Sequence, residues 1–199
     1  MPKVVDHEAR RVDLVRATWR IVAREGLARA TMRSIAEEAG FANGALKPYF
    51  ASKSDLLAYA FGYVFDQTNA RIREAVSGHR GIAALRAFGS EVLPLDEERL
   101  DEARIVLPFW QEALHDPLRA QVHAASMQQW RSALLTHLGE AAADGELRAG
   151  VDADRAAGSL LNFLLGAQVS AALMPADAGP RALAGQLEDW LAALTLGED

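Results

Sequence analysis

Hydrophobic positions recur at helical spacing along almost the whole chain. Over residues 6–25, Val12, Val15, Trp19 and Val22 share one face, and Leu14, Thr18 and Ile21 widen it. Asp6 precedes this stripe as an N-cap and Gly26 follows as a stop. Residues 31–50 read as two short helices joined at Gly40, with Ile35, Ala36 and Ala39 facing inward from the first, and Leu46 and Phe50 from the second. Thr31 stands at an N-cap position, and Gly40 is the residue type that best tolerates a positive φ. Two short helices about a Gly-containing turn form the helix-turn-helix pattern, whose second helix enters a DNA major groove.

The same period continues to the C-terminus. Leu56, Leu57, Ala60, Val64 and Ile72 predict a helix running to about Val76, opened by Ser52 and Asp55 at capping-box spacing. Further helices are predicted over 80–92, over 96–114 with Pro108 inside and expected to kink it, and over 116–143, where Val122, Met127, Trp130, Leu134, Leu135 and Leu138 form the inner stripe. Helices over 152–174 and 180–196 flank a breaker-rich loop at 175–180, and the last carries Leu183, Leu187, Trp190, Leu191 and Leu194. No strand alternation occurs. The expected fold is all-α, with about nine helices. An N-terminal three-helix head at 8–68 contains the motif at 31–50, and a helical body follows at 69–199.

Charge sharpens this division. The net charge is −6, yet residues 1–60 carry 10 Lys+Arg against 7 Asp+Glu, whereas residues 61–199 carry 11 against 20. A basic head on an acidic body suggests that only the head meets a polyanion. The chain has no Cys, which excludes disulfides and thiolate metal sites and fits a reducing compartment; with no apolar N-terminal run, a cytoplasmic location is expected. The uncharged run 156–175 is long enough to cross a bilayer, but Asn162, Gln168, Ser159 and Ser170 interrupt it, so no membrane partner is expected. A helix apolar all round is equally one buried on two sides. With the last stripe, it predicts a four-helix dimer interface through Leu160, Leu164, Leu183, Leu187, Trp190 and Leu194, with Gly158 and Gly166 allowing close approach.

Between Gly26 and Leu57 the chain resembles the TetR family of transcriptional regulators. The residues that carry the resemblance are Gly26, Thr31, Ile35, Ala36, Ala39, Gly40, Gly44, Leu46, Tyr49, Phe50, Ser52, Lys53 and Leu56. The body, through L-P-L-D-E-E-R at 93–99, Phe109-Trp110, Asp116-Pro117-Leu118 and Trp130-Arg131, resembles the branch of choline-responsive betaine repressors. The resemblance implies a homodimer on a pseudo-palindromic DNA operator, released by a small-molecule effector bound in the body. It also implies that Thr31, Arg33, Tyr49 and Lys53 hold the DNA backbone. Asn43, Gly44, Ala45 and Lys47 would face the groove, where Asn suits adenine, Ala a thymine methyl and Lys guanine or a phosphate. Three positions depart from the family pattern: Ala42 replaces the usual capping Ser, Lys47 replaces a Tyr, and Pro48 should end the second helix early.

Phe109, Trp110, Met127, Trp130 and Phe163 are candidates to line an effector cavity or, alternatively, are ordinary core; the betaine-type resemblance implies a quaternary ammonium against Trp faces. Arg104, Glu112, His123 and Gln168 either orient a ligand or pair with one another. Glu112 and His115 form a single E-x-x-H, where di-iron bundles need two, so no metal is expected. No nucleophile elbow, phosphate loop or dinucleotide fingerprint is present, so neither an enzyme nor a cofactor is expected. A ligand-independent DNA-binding dimer remains the alternative.

Overall fold

The computed structural model describes residues 6–42 and 44–195. They form α1 (His7–Glu25), a 3-10 turn (Leu27–Arg29), α2 (Met32–Glu38), α3 (Lys53–Ala75), α4 (Gly81–Val92), α5 (Glu97–Ala113), α6 (Pro117–Ala143), α7 (Ala153–Leu173) and α8 (Pro180–Ala192). Among the described residues there are thus eight α-helices, one fewer than expected, because the segment before Phe50 folds as consecutive turns. An isolated antiparallel bridge joins Leu147 to Thr195. The chain divides into two compact units. One takes the chain up to Phe65 together with Arg104–Ala120; the other takes Asp66–Ala103 and everything from Gln121 on. Residues 104–120, which the sequence grouped with the body, therefore belong to the same unit as α1 and α2.

In the first unit, Asp6 caps α1 by accepting from the N–H groups of Glu8 at 3.1 Å and Ala9 at 3.0 Å. The buried stripe of α1 runs through Leu14, Val15, Thr18, Ile21 and Val22. Val12 and Trp19, expected at its centre, lie on its half-buried margin. Thr18 is tolerated there because its hydroxyl donates to the Leu14 carbonyl at 2.9 Å. Ile35, Ala36, Leu46, Phe50, Leu56, Phe61, Ile105 and Phe109 join the same core. Arg20 and Arg24 of α1 both grip Glu38 of α2, at 2.7 and 3.1 Å, and their hydrogen bonds hold its carboxyl below the usual range.

In the second unit, α4 lies against α8. Phe88, Leu85, Leu134, Leu138, Leu160, Leu164, Leu183, Leu187 and Leu191 are buried. Trp130 packs edge-on to Phe88 and donates through its indole N–H to the Asn69 side-chain oxygen at 2.9 Å. Val122 is 51% exposed, so the inner stripe of α6 begins only at Ser126.

Leu160, Leu164, Leu183 and Leu187 are buried within the single chain, and Leu194 lies in the turn after α8. Trp190 is half-buried and donates to Ser159 at 3.0 Å. Amphipathic stripes mark what is buried, but they do not say against what. α7 is, among the described residues, long and apolar enough by composition to cross a membrane, yet only 39% of its apolar window is buried. Its outer face thus remains uncovered, and a Cβ added at Gly158 or Gly166 would meet nothing within 4 Å.

Candidate nucleic-acid interface

The interface candidate is assembled from the N-terminus of α2, the turn that follows it and the N-terminus of α3. Thr31 caps α2 in a reciprocal box: its hydroxyl accepts from the Ser34 N–H at 3.1 Å, and the Ser34 hydroxyl accepts from the Thr31 N–H at 2.9 Å. Ser34 also donates to the Arg29 carbonyl at 2.7 Å, which joins α2 to the preceding 3-10 turn. Ser34 was not singled out from sequence, although T-x-x-S is a recognisable variant of the capping box. Arg33 stands exposed in the first turn and pairs with Glu37 at 3.0 Å. A pair of side chains 74% and 60% exposed is weak enough to yield to a phosphate.

α2 ends at Ala39, and the Gly40 φ of 73° turns the chain. The Phe41 N–H returns to the Ala36 carbonyl at 2.8 Å, closing the end of the helix. A Gly40→Val variant places a β-branched residue at this angle. Its expected cost is about 1–2 kcal/mol, read as a shift in the urea midpoint. An unchanged midpoint would refute the role given to the turn.

Past the turn, Gly44 has φ 87°, while a Cβ added there would meet nothing within 4 Å. The glycine therefore serves the backbone angle. Ala45 N–H bonds the Ala42 carbonyl at 3.0 Å, and the N–H groups of Tyr49 and Phe50 both bond Leu46, at 2.9 Å each. Leu46 and Phe50 are anchored in the core at 3% and 2% exposure, while Lys47 and Pro48 between them face outward. Pro48 has no N–H and disfavours helical geometry at Lys47, which explains why this segment stays a series of turns. Asn43, expected to read adenine, lies outside the described residues.

Tyr49 is half-buried. Its ring lies 4.6 Å from the His7 ring and edge-on to Phe41 at 5.7 Å. Its carbonyl accepts from Arg11 at 3.3 Å, and the Arg11 guanidinium also covers the rings of Phe50 and Tyr59 at 5.1 and 4.9 Å. Arg11 is thus a brace for the reading segment. Tyr59 donates a short hydrogen bond to Glu8. Burial, reinforced by Glu8, pushes the Tyr59 phenol up to about 12. Lys53 opens α3, where Ser52 caps by accepting from the Asp55 N–H at 3.0 Å. The Lys53 ammonium donates to the Leu27 carbonyl at 3.0 Å, so one of its three protons is used within the chain.

The effector candidates fall into two groups. Phe109 is fully buried in the first unit, stacked on Phe61 at 4.1 Å, with Trp110 packed against the same core. Trp130 is buried in the second unit, while Met127 and Phe163 are half-buried. Phe163 borders a cavity of about 330 Å³ with Gly166, Met174 and Gln186. Glu112 accepts from Ser54 at 2.5 Å and lies 3.2 Å from Arg119. Among the described residues no cluster of three metal-ligating side chains occurs.

The family model for bacterial regulatory proteins of the tetR family matches residues 14–60, and the model for the C-terminal part of BetI-type transcriptional repressors matches residues 81–196. The HTH-type transcriptional regulator PksA of Bacillus subtilis is 36% identical over 116 residues, which are 58% of this chain and 57% of that protein. BetI of Vibrio campbellii is 32% identical over 162 residues, 78% of this chain and 75% of that regulator. A transcriptional regulator from Rhodococcus sp. Rha1 superposes with a TM-score of 0.80 at 29% identity, covering 92% of this chain and 95% of that one. A regulator from Saccharomonospora viridis, solved in complex with choline, superposes at 0.85 with 21% identity over 96% of this chain and 99% of the other. These relatives are transcriptional regulators, not enzymes. The matches across residues 14–60 and 81–196 together establish that the chain belongs to the TetR family as a DNA-binding transcriptional regulator with a BetI-type C-terminal part.

Proposed function

We propose that the chain is a repressor that binds a pseudo-palindromic operator as a homodimer and leaves it when a small molecule occupies the helical body, all in the cytoplasm, where its DNA partner is. The observation that carries the DNA contacts is the pairing of anchored and exposed residues in one short segment. Leu46 and Phe50 fix it from below, while Gly44 and Lys47 stay exposed and Ala45 partly so. Thr31, Arg33, Tyr49 and Lys53 border this segment and supply the hydroxyls and cations that hold phosphates. Asn43 completes the reading set from the sequence pattern. Residues 8–68 serve as the DNA-binding domain and 69–199 as the ligand-binding and dimerisation domain, with 104–120 sharing the core of the first.

A Lys47→Ala, Tyr49→Ala double variant is expected to bind a promoter duplex at least about 30-fold more weakly than the parent in a mobility-shift titration, since each of the two contacts is worth about 1–3 kcal/mol. Lys47→Ala alone should flatten the salt dependence by about one unit if the lysine meets a phosphate. Full affinity in the double variant would sink the proposed contacts.

The second copy is proposed to cover the outer face of α7, beside Trp190 of α8. Support comes from the uncovered part of the apolar α7 window and from the open space at Gly158 and Gly166. The effector is proposed to be a small cation of the quaternary ammonium class. The Saccharomonospora viridis regulator holds choline, and Trp130 is a buried aromatic of the second unit here. The burial of Phe109 and Trp130, at 0% and 5% exposure, favours a second reading in which the body is filled and DNA binding needs no ligand. A choline titration by calorimetry separates the two, since saturable binding of one equivalent per chain supports the first.

A further inference from the structure

A second cleft, wholly within the first unit, has a volume of about 550 Å³. That is within the range of small-molecule sites. Its apolar lining comes from Leu27, Leu57 and Pro108, and its polar groups divide sharply into used and unused. The acids are used. Glu112 accepts from the Ser54 hydroxyl and lies 3.2 Å from Arg119. Asp116 accepts the N–H groups of Leu118 at 2.9 Å and Arg119 at 3.2 Å and pairs with the Arg119 guanidinium, which besides Glu112 also has Asp55 at 3.8 Å. The backbone hydrogen bond from Arg119 leads the effects that keep the Asp116 carboxyl below the usual range.

What remains unused is a set of donors. Lys53 has no carboxylate partner among the described residues, and its bond to the Leu27 carbonyl at 3.0 Å leaves two N–H groups of its ammonium. Gln111 and His115 are exposed at the same cleft, and neither makes a side-chain hydrogen bond among the described residues. A cation entering here would find both carboxylates occupied. An anion would find an ammonium, an amide and an imidazole beside an apolar wall.

We propose that this cleft is a binding site for a small amphipathic carboxylate, with its carboxylate on Lys53 and its apolar tail along Leu57, Leu27 and Pro108. The site differs from the effector position proposed in the helical body, both in place and in the sign of charge it takes. Binding needs nothing from DNA. Its regulatory consequence rests on the DNA contacts proposed above. Lys53 is also a phosphate contact there, so an occupied cleft competes with the operator for the same ammonium.

The test uses the full chain without DNA, titrated by calorimetry with octanoate at submicellar concentration, and with octylammonium as the charge-reversed probe. One octanoate is expected per chain, with octylammonium at least about 10-fold weaker, since the charge-assisted bond is lost. Lys53→Gln should weaken octanoate at least about 10-fold. So should Gln111→Glu, a change at an exposed helix position that adds an acid to the cleft Lys53 also lines. Equal affinity for the two probes, no octanoate binding, or parent-like affinity in Gln111→Glu would each overturn the site. A parallel mobility-shift assay is expected to show octanoate weakening the operator complex. If octanoate binds as described but the complex is unaffected, the competition through Lys53 is refuted and the binding site stands.

Discussion

An Arg71→Met variant is expected to lose about 3–5 kcal/mol of unfolding free energy at neutral pH, because it strands a buried charge. Arg71 of α3 grips Glu102 of α5 with two hydrogen bonds, 2.8 and 2.7 Å, and lies 3.2 Å from Glu91 of α4. Arg99 holds Glu91 from the other side at 2.6 Å. The Glu102 side chain is only 8% exposed. Burial pushes the Glu102 carboxyl above its ordinary range, against the pull of Arg71. A carboxyl whose folded pKa lies above its unfolded one contributes stability that is complete below the unfolded value and fades as pH rises through the folded value. Removing Arg71 removes the opposing pull, so the loss should be smaller at pH 5 than at pH 7.5, where Glu102 must ionise or stay protonated at a cost. An Arg71→Met, Glu102→Gln double variant should recover much of it, since no buried charge remains. Urea titrations at the two pH values decide the matter: a loss that is the same at both, and unrelieved in the double variant, would show that the guanidinium acts through packing alone.

Phe109→Ala is expected to cost about 3–5 kcal/mol, the range for emptying a fully buried aromatic site. Phe109 is 0% exposed, and its ring lies 4.1 Å from that of Phe61 with 13° between their planes. Truncation leaves a void among Leu56, Phe61 and Ile105, residues of a core that α1 and α2 share. The measurement is the thermal midpoint together with effector and operator titrations. A variant of parental stability but altered effector response would return Phe109 to the ligand-lining role that its aromatic character suggested.

Much of the DNA-reading element was legible before any coordinates. Thr31, Gly40, Ser52 and the apolar anchors Leu46 and Phe50 act through local rules: an oxygen reaching N–H groups up to three residues on, a glycine at positive φ, an inward spacing. Pro48 was legible as a helix breaker, and the turns at this segment are its consequence. The bracing was not legible. Arg11 reaches Tyr49 across 38 residues, Lys53 reaches Leu27 across 26 and Ser54 reaches Glu112 across 58. No periodicity carries information about a partner at such separations, and an arginine near a chain end looks the same whether it meets a phosphate or a carbonyl.

The body shows the same division. Helix positions followed from the spacing of the leucines, because hydrogen bonds within a helix and one-sided burial leave a 3.6-residue signature in the chain itself. Which surface those leucines meet did not follow. Leu160, Leu164, Leu183 and Leu187 are buried within their own chain, and Phe109 lies in the unit of α1 and α2, while Trp130 lies in the other. An apolar face lowers its free energy equally against any apolar surface, since the hydrophobic effect is non-directional. The amino-acid order therefore sets where each stripe lies, and only the packed structure decides which partner covers it.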